Sequence, residues 1–262
     1  VPELQAVEVE VVEVQPVDVE IVEPVKLPSI MLVGDSITHG PAGAHTWRYF
    51  LYERLAATFG PGDYFVGPNN APNDGGPDDY AVPNGWDKDH AALSGRMLDC
   101  YLDGVIWDEP CTDSNRAADD FAAHNPDLAV VLLGANDVLL PWGQSAPSDF
   151  LGHAEQLVAA ARANNPEVSF LLMGVIPVDP ALVPDAAAER DELNAGLEAL
   201  AARLDTPDSP VAYASAGAAF DPVLHTYDGV HPNSAGDEII AANVAAGLAD
   251  DYGIGRDLTL QL

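Results

Sequence analysis

The 262 residues are 48% hydrophobic and 20% charged, with 42 Asp and Glu against 10 Lys and Arg and a formal net charge of -32. This length is enough to bury a core of its own, as one globular α/β domain with an appendage. The negative field excludes nucleic acid and anionic membrane surfaces as partners, and no run approaches the roughly 20 apolar residues a membrane-spanning helix needs.

Residues 1–28 stand apart. Val7-Glu8-Val9-Glu10 and Val17-Asp18-Val19-Glu20-Ile21 alternate apolar and acidic side chains, and Pro16 and Pro24 interrupt them. Period two suits a half-buried strand. The prolines and like charges suit a linker from an upstream domain or export region, or an edge strand laid on the domain. No signal peptide is read in the sequence, and Val1 in place of Met fits a trimmed chain. A secreted protein with an acidic surface is the expectation.

From Ser29 onward strands and helices alternate. Residues 30–33 read as a short, buried parallel strand ending at Gly34. The spacing of Trp47, Tyr49, Phe50, Leu51 and Leu55 predicts a helix over 46–59, and 63–66 a second strand. Residues 67–116 are rich in Pro, Gly, Asn and Asp and read as a long irregular section, the kind that often carries function. Strands follow at 128–133, 168–173 and 211–213, and helices at 150–163, 186–204 and 234–248. Five strands separated by helices imply a parallel sheet covered on both faces, an α/β three-layer α/β/α arrangement of flavodoxin-like type. In such sheets sites form at the carboxyl ends of the strands.

Two segments near opposite ends of the chain carry chemistry. Gly34-Asp35-Ser36-Ile37 puts a serine at the corner after the first strand, and Asp228-Gly229-Val230-His231-Pro232-Asn233 supplies a carboxylate and an imidazole three residues apart. A hydroxyl is a poor nucleophile at neutral pH; it needs an adjacent base, and the base needs an orienting group. Taken alone, Ser36 would equally serve as a helix N-cap. Asn136 and Asp137 suit a turn after the third strand, Asp137 as a structural residue. Asp228 and His231 also suit metal ligation, but no third histidine or cysteine stands at ligand spacing, so no metal is assigned.

Gly34-Asp35-Ser36-Ile37, Gly95, Gly134-Ala135-Asn136-Asp137 and Asp228-Gly229-Val230-His231-Pro232 resemble, in order and spacing, the four sequence blocks of the SGNH (GDSL-type) hydrolases, over residues 29 to about 250. Phe65-Val66-Gly67 and the stretch from His90 to Gly95 are most similar to carbohydrate esterases of the acetylxylan esterase type. The resemblance implies a catalytic domain over 29–262. It makes Ser36 the nucleophile, His231 the general base and acid, and Asp228 the group orienting the imidazole. The backbone N–H groups of Ser36 and Gly95 and the side-chain amide of Asn136 become the oxyanion hole. It implies a serine esterase, without cofactor, acting on a small-molecule or glycan ester, with O-acetyl groups on carbohydrates as the expected substrate. The alternatives are a lipase or arylesterase acting on longer acyl esters, and a non-catalytic glycan-binding module. Acetylxylan-type members usually carry His-Glu-Gly-His-Ser-Gly where this chain has His90-Ala91-Ala92-Leu93-Ser94-Gly95, so a more apolar rim, open to longer acyl chains, is expected here.

Other residues are less specific. His39 and His45 line the pocket or sit solvated in loops, His225 competes with His231 for the base role, and His90, His124 and His153 have no assigned chemistry. Trp86, Trp107 and Trp142 form a glycan platform or fill the core. The acidic run 74–89, with Asn69, Asn70 and Asn73, offers hard oxygen ligands of the kind calcium takes, or is simply solvated. Cys100 and Cys111 close a small loop in an exported protein and stay free in a cytosolic one.

Overall fold

A computed structural model describes residues 27–103, 116–140 and 145–255. Almost all of the expected linker, residues 1–26, lies outside these, as do Trp107, Cys111 and Trp142. Strand β1 is Ile30–Gly34, all five residues buried. A one-turn helix α1, Ser36–His39, follows it, and then α2, Thr46–Phe59. The irregular section yields a two-residue strand β2, Phe65–Val66, a second, β3, Ala91–Ala92, and a short helix α3, Leu98–Asp103. Helix α4, Ala117–His124, leads to β4, Leu128–Leu132, which ends in a single π-turn over Ala135–Leu139. Then come α5, Pro147–Asn164; β5, Ser169–Gly174; α6, Ala186–Leu204; and β6, Val211–Ser215. A short α7, Pro222–His225, precedes the closing α8, Ser234–Tyr252.

Every strand pair is parallel, in the order β2-β1-β4-β5-β6. Strand β3 pairs with the carboxyl half of β1 through Val33–Ala91 and Gly34–Ala92, while β2 takes the amino half through Ile30–Phe65 and Met31–Val66. The two short strands therefore lie end to end along one edge of β1, and β4 occupies the other with Ile30 opposite Leu128. The apolar runs Ile30-Met31-Leu32-Val33 and Phe170-Leu171-Leu172-Met173 are buried throughout, as strands covered on both faces must be. Helices α2 and α8 pack together on one face; α3, α4, α5 and α6 line the other.

The chain leaves β1 toward one side of the sheet and β4 toward the other. That reversal opens a crevice at the carboxyl ends of β1 and β4, where ligands bind in doubly wound folds. Ser36 and Asn136 are the residues that this arrangement brings to the crevice.

Candidate active site

The corner after β1 is capped by Asp35, whose Oδ1 accepts the N–H of Ile37 at 2.9 Å. The cap role is thus filled by the aspartate, and Ser36 stands at the first position of the turn with its hydroxyl left for another partner. Burial pushes the Asp35 carboxyl up to about 6, against the pull of the Ile37 N–H, His231 and Arg96.

The second segment is a tight loop tied by a bridge between Thr226 and Pro232. Oδ1 of Asp228 accepts the N–H of Val230 at 3.0 Å and of His231 at 2.7 Å, and Oδ2 lies 2.7 Å from His231 Nδ1. Burial raises the Asp228 carboxyl, but these bonds outweigh it and hold the group below the ordinary aspartate range. Asn233 then caps α8, accepting the N–H groups of Ala235 and Gly236, while its amide donates to the Leu224 carbonyl at 2.9 Å. The helix start is therefore locked two residues beyond His231. On the other ring nitrogen, Nε2 of His231 lies 2.9 Å from Ser36 Oγ. Hydroxyl, imidazole and carboxylate form one line, with the tautomer that donates Nδ1–H to Asp228 leaving Nε2 free to accept. The ring of Tyr227 stacks on the imidazole, centroids 5.7 Å apart and planes 14° from parallel.

Ser36 and His231 open onto a pocket of about 350 Å³, with Gly95 and Asn136 in its wall. The loop bearing Gly95 is fixed from below. Leu93 N–H donates to the Gly34 carbonyl at 3.1 Å, Ser94 N–H to His39 Nδ1 at 3.1 Å, and Arg96 to the Ala91 carbonyl at 2.6 Å. Gly95 sits at φ +80, a backbone region other residues rarely adopt. The side-chain amide of Asn136 donates to the Arg96 carbonyl at 3.2 Å, which ties the π-turn to this loop. Its neighbour Asp137 accepts the N–H of Leu98 at 2.7 Å, a structural bond, and burial pushes its carboxyl up to about 7. Four of the five expected site residues, Ser36, Gly95, Asn136 and His231, line one crevice, and the fifth, Asp228, joins them through its 2.7 Å contact with His231. Such a crevice sets an imidazole within hydrogen-bond reach of a serine hydroxyl.

Other expectations fare differently. His225 does not compete for Ser36: its Nδ1 accepts the N–H of Asp221 at 2.8 Å and its ring faces Phe220. His39 and His90 are buried beneath the pocket. His90 accepts the N–H of Ala92 and reaches the Ala71 carbonyl. His45 packs against Tyr49 and Phe50. The apolar rim expected from Ala91 and Leu93 is not there, because Ala91 pairs with β1 inside the sheet and the pocket wall begins at Ser94. Trp86 is also core, donating to the Val82 carbonyl and meeting Tyr49 and Tyr80 edge-on. In the acidic run, Asp79 and Asp87 accept backbone N–H groups, and among the described residues no three His, Cys, Asp or Glu converge as a metal site. Cys100 is disulfide-bonded. Sequence reasoning missed Pro41, Asn73, Leu140 and Tyr227 in the pocket wall. It also missed Arg48, buried behind Ser36, which donates to the carbonyls of Thr38, His39 and Lys88 and to the Tyr80 hydroxyl. Only the position of Tyr227, beside Asp228, offered a signal.

Comparison with known proteins adds a chemical class. Residues 32–239 match the GDSL-like lipase/acylhydrolase family. No curated protein matches the sequence. Among solved structures, a family 3 carbohydrate esterase from Talaromyces cellulolyticus is 28% identical, with 84% of this chain and 95% of that one aligned at a TM-score of 0.67. An acetyl esterase, crystallised as a serine-to-alanine mutant with an acetate ion, is 27% identical with the same coverage and TM-score. A family 3 carbohydrate esterase from Clostridium thermocellum shares the fold at 23% identity and a TM-score of 0.64, over 86% of this chain and 96% of that one.

Proposed function

The chain belongs to the GDSL-like lipase/acylhydrolase family, and from that premise we propose that it is a serine esterase removing O-acetyl groups from carbohydrates through an acyl-enzyme. The observation that carries this reading is the line from Ser36 Oγ through His231 to Asp228, at 2.9 and 2.7 Å. His231 Nε2 takes the Ser36 proton as Oγ attacks the ester carbonyl carbon. Asp228, held ionised by its bonds to His231, keeps the ring in register and stabilises the imidazolium. The carbonyl oxygen becomes an oxyanion facing the N–H groups of Ser36 and Gly95 and the Asn136 amide. The C–O bond to the alcohol then breaks, and His231 returns the proton to the departing oxygen. Water activated by the same nitrogen attacks the acyl-enzyme, and acetate leaves with Ser36 restored.

Similarity to an acetyl esterase and a carbohydrate esterase, each above a quarter identical, supports the acetyl choice. The disulfide at Cys100 supports an oxidising, extracellular setting. Hydrolysis of p-nitrophenyl acetate, butyrate and octanoate by the parent and by Ser36→Ala tests the reading. Turnover greatest on acetate and abolished in the variant is expected. Preference for octanoate would overturn the acetyl assignment, and turnover that survives Ser36→Ala would overturn the serine mechanism.

A further inference from the structure

The described residues leave four large apolar side chains in solvent, Leu182, Val223, Leu224 and Tyr227, at 54, 67, 66 and 57% exposure. All four border the segment that carries Asp228 and His231. Leu182 packs over Gly229, so closely that a Cβ on that glycine would lie 2.4 Å from Leu182 Cδ1. Val223 and Leu224 form α7, which buries none of its residues. Tyr227 covers one face of the His231 ring and lines the pocket as well. Such apolar exposure beside this segment, on a chain of net charge -32, is surface that solubility does not explain.

Its position decides what it meets. In acyl transfer the imidazole gives its proton to the leaving oxygen, so the alcohol half of an ester lies on the imidazole side and the acyl half lies toward the oxyanion donors. Here the donors are at Gly95 and Asn136, and the tyrosine is at His231. We infer that Tyr227, at the pocket wall against His231, is the leaving-group subsite and takes the flat C–H face of a pyranosyl ring in the alcohol. This inference rests on the esterase reading above and adds the recognition of the alcohol to it. A tyrosine suits such a subsite because its ring stacks on an apolar face at low entropic cost, while its hydroxyl stays wet.

The test compares two acetates that differ in the alcohol alone, ethyl acetate and a mono-acetylated methyl β-xyloside. The parent is expected to favour the xyloside in kcat/KM. In Tyr227→Ala that preference falls about fivefold to tenfold, mainly through KM, the loss of one stacked ring contact; Tyr227→Trp keeps it. Unchanged melting of both variants excludes a folding defect. A preference that survives Tyr227→Ala, or equal losses on both esters, overturns the subsite and leaves Tyr227 as a cover for His231. Turnover surviving Ser36→Ala would instead remove the esterase reading itself, so the two failures are distinct.

Discussion

Replacing Arg48 by Met tests whether one buried cation holds the turn after Ser36. Arg48 is fully buried, at 0% exposure, and lies on α2. Its Nε donates to the Thr38 carbonyl at 2.8 Å; its terminal nitrogens reach the His39 carbonyl at 3.0 Å, the Lys88 carbonyl at 2.9 Å and the Tyr80 hydroxyl at 2.8 Å. The guanidinium also lies 5.4 Å from the Tyr80 ring centroid and 5.7 Å from that of Trp86. Methionine fills much of the volume but donates nothing, and a buried acceptor left unpaired costs about 1–3 kcal/mol. With some acceptors rescued by water, a loss on the order of 3–5 kcal/mol is expected. For a domain of this size that lowers Tm by roughly 6–20 °C. Calorimetry or circular dichroism on parent and variant gives the shift, and ester turnover at a temperature where both are folded gives the effect on kcat, which falls because Thr38 and His39 close the Ser36 turn. Arg48→Lys keeps the charge and part of the reach and lands between the two. A melting temperature within about 2 °C of the parent and an unchanged kcat would refute the argument.

Three further outcomes follow from the geometry. Asn136→Ala removes the side-chain amide proposed as an oxyanion donor and is expected to lower kcat by about 10²–10³, with KM little changed; steady-state kinetics on the acetyl ester decides it, and a loss confined to KM would contradict the role. Gly229→Ala puts a side chain at φ +89, with its Cβ 3.0 Å from Asp179 Cβ; the displaced Asp228–His231 loop costs about 10- to 100-fold in kcat, and an unaltered kcat would show that the loop absorbs the change. Stability also depends on pH. Burial holds Asp35, Asp137 and Asp237 up at about 6, 7 and 8. The folded state therefore binds more protons than the unfolded one from the ordinary aspartate range up to those values, and stability falls as pH rises through them. Burial depresses His39 to about 4 and His90 well below its ordinary value, so their contribution is lost as pH falls below about 6.5. The three raised carboxyls outnumber the two depressed histidines, so the melting temperature should decline from acidic buffer toward about pH 8.5, and Asp237→Asn should flatten the alkaline part of that decline. An alkaline limb equally steep in the variant would count against it.

The long elements were legible because their signals are local. The helices over 46–59 and 186–204 coincide with α2 and α6, one ended by Gly60 at φ +84 and the other by Asp205 in extended backbone. The spacing of Asp228 and His231 is local too: three residues of loop let one carboxylate hold both the backbone and the ring of the histidine. What stayed hidden depends on distant partners. Strand β3 is two alanines with no period to read, and it exists because β1 offers an unpaired edge beyond β2. The role of Arg48 joins positions 10, 32 and 40 residues away, so nothing around it in sequence announces it. The substitutions at Ala91 and Leu93 pointed to a changed rim, whereas the chain there turns into the sheet and shows only Ser94 and Gly95 to the pocket. Helix α5 begins at Pro147, earlier than the hydrophobic spacing indicated, because proline is at ease in a first turn.

The hydrogen bond between Ser36 and His231 joins residues 195 positions apart. In the folded chain it stands on the pairing of β4 with β1 and the packing of α8 on α2. Contacts this distant in sequence are entropically expensive to make early, so they belong to the closing stage of folding. Recovery of ester turnover during refolding should accordingly lag the recovery of helical circular dichroism. On heating, undocking of α8 should silence the enzyme while the sheet is still intact.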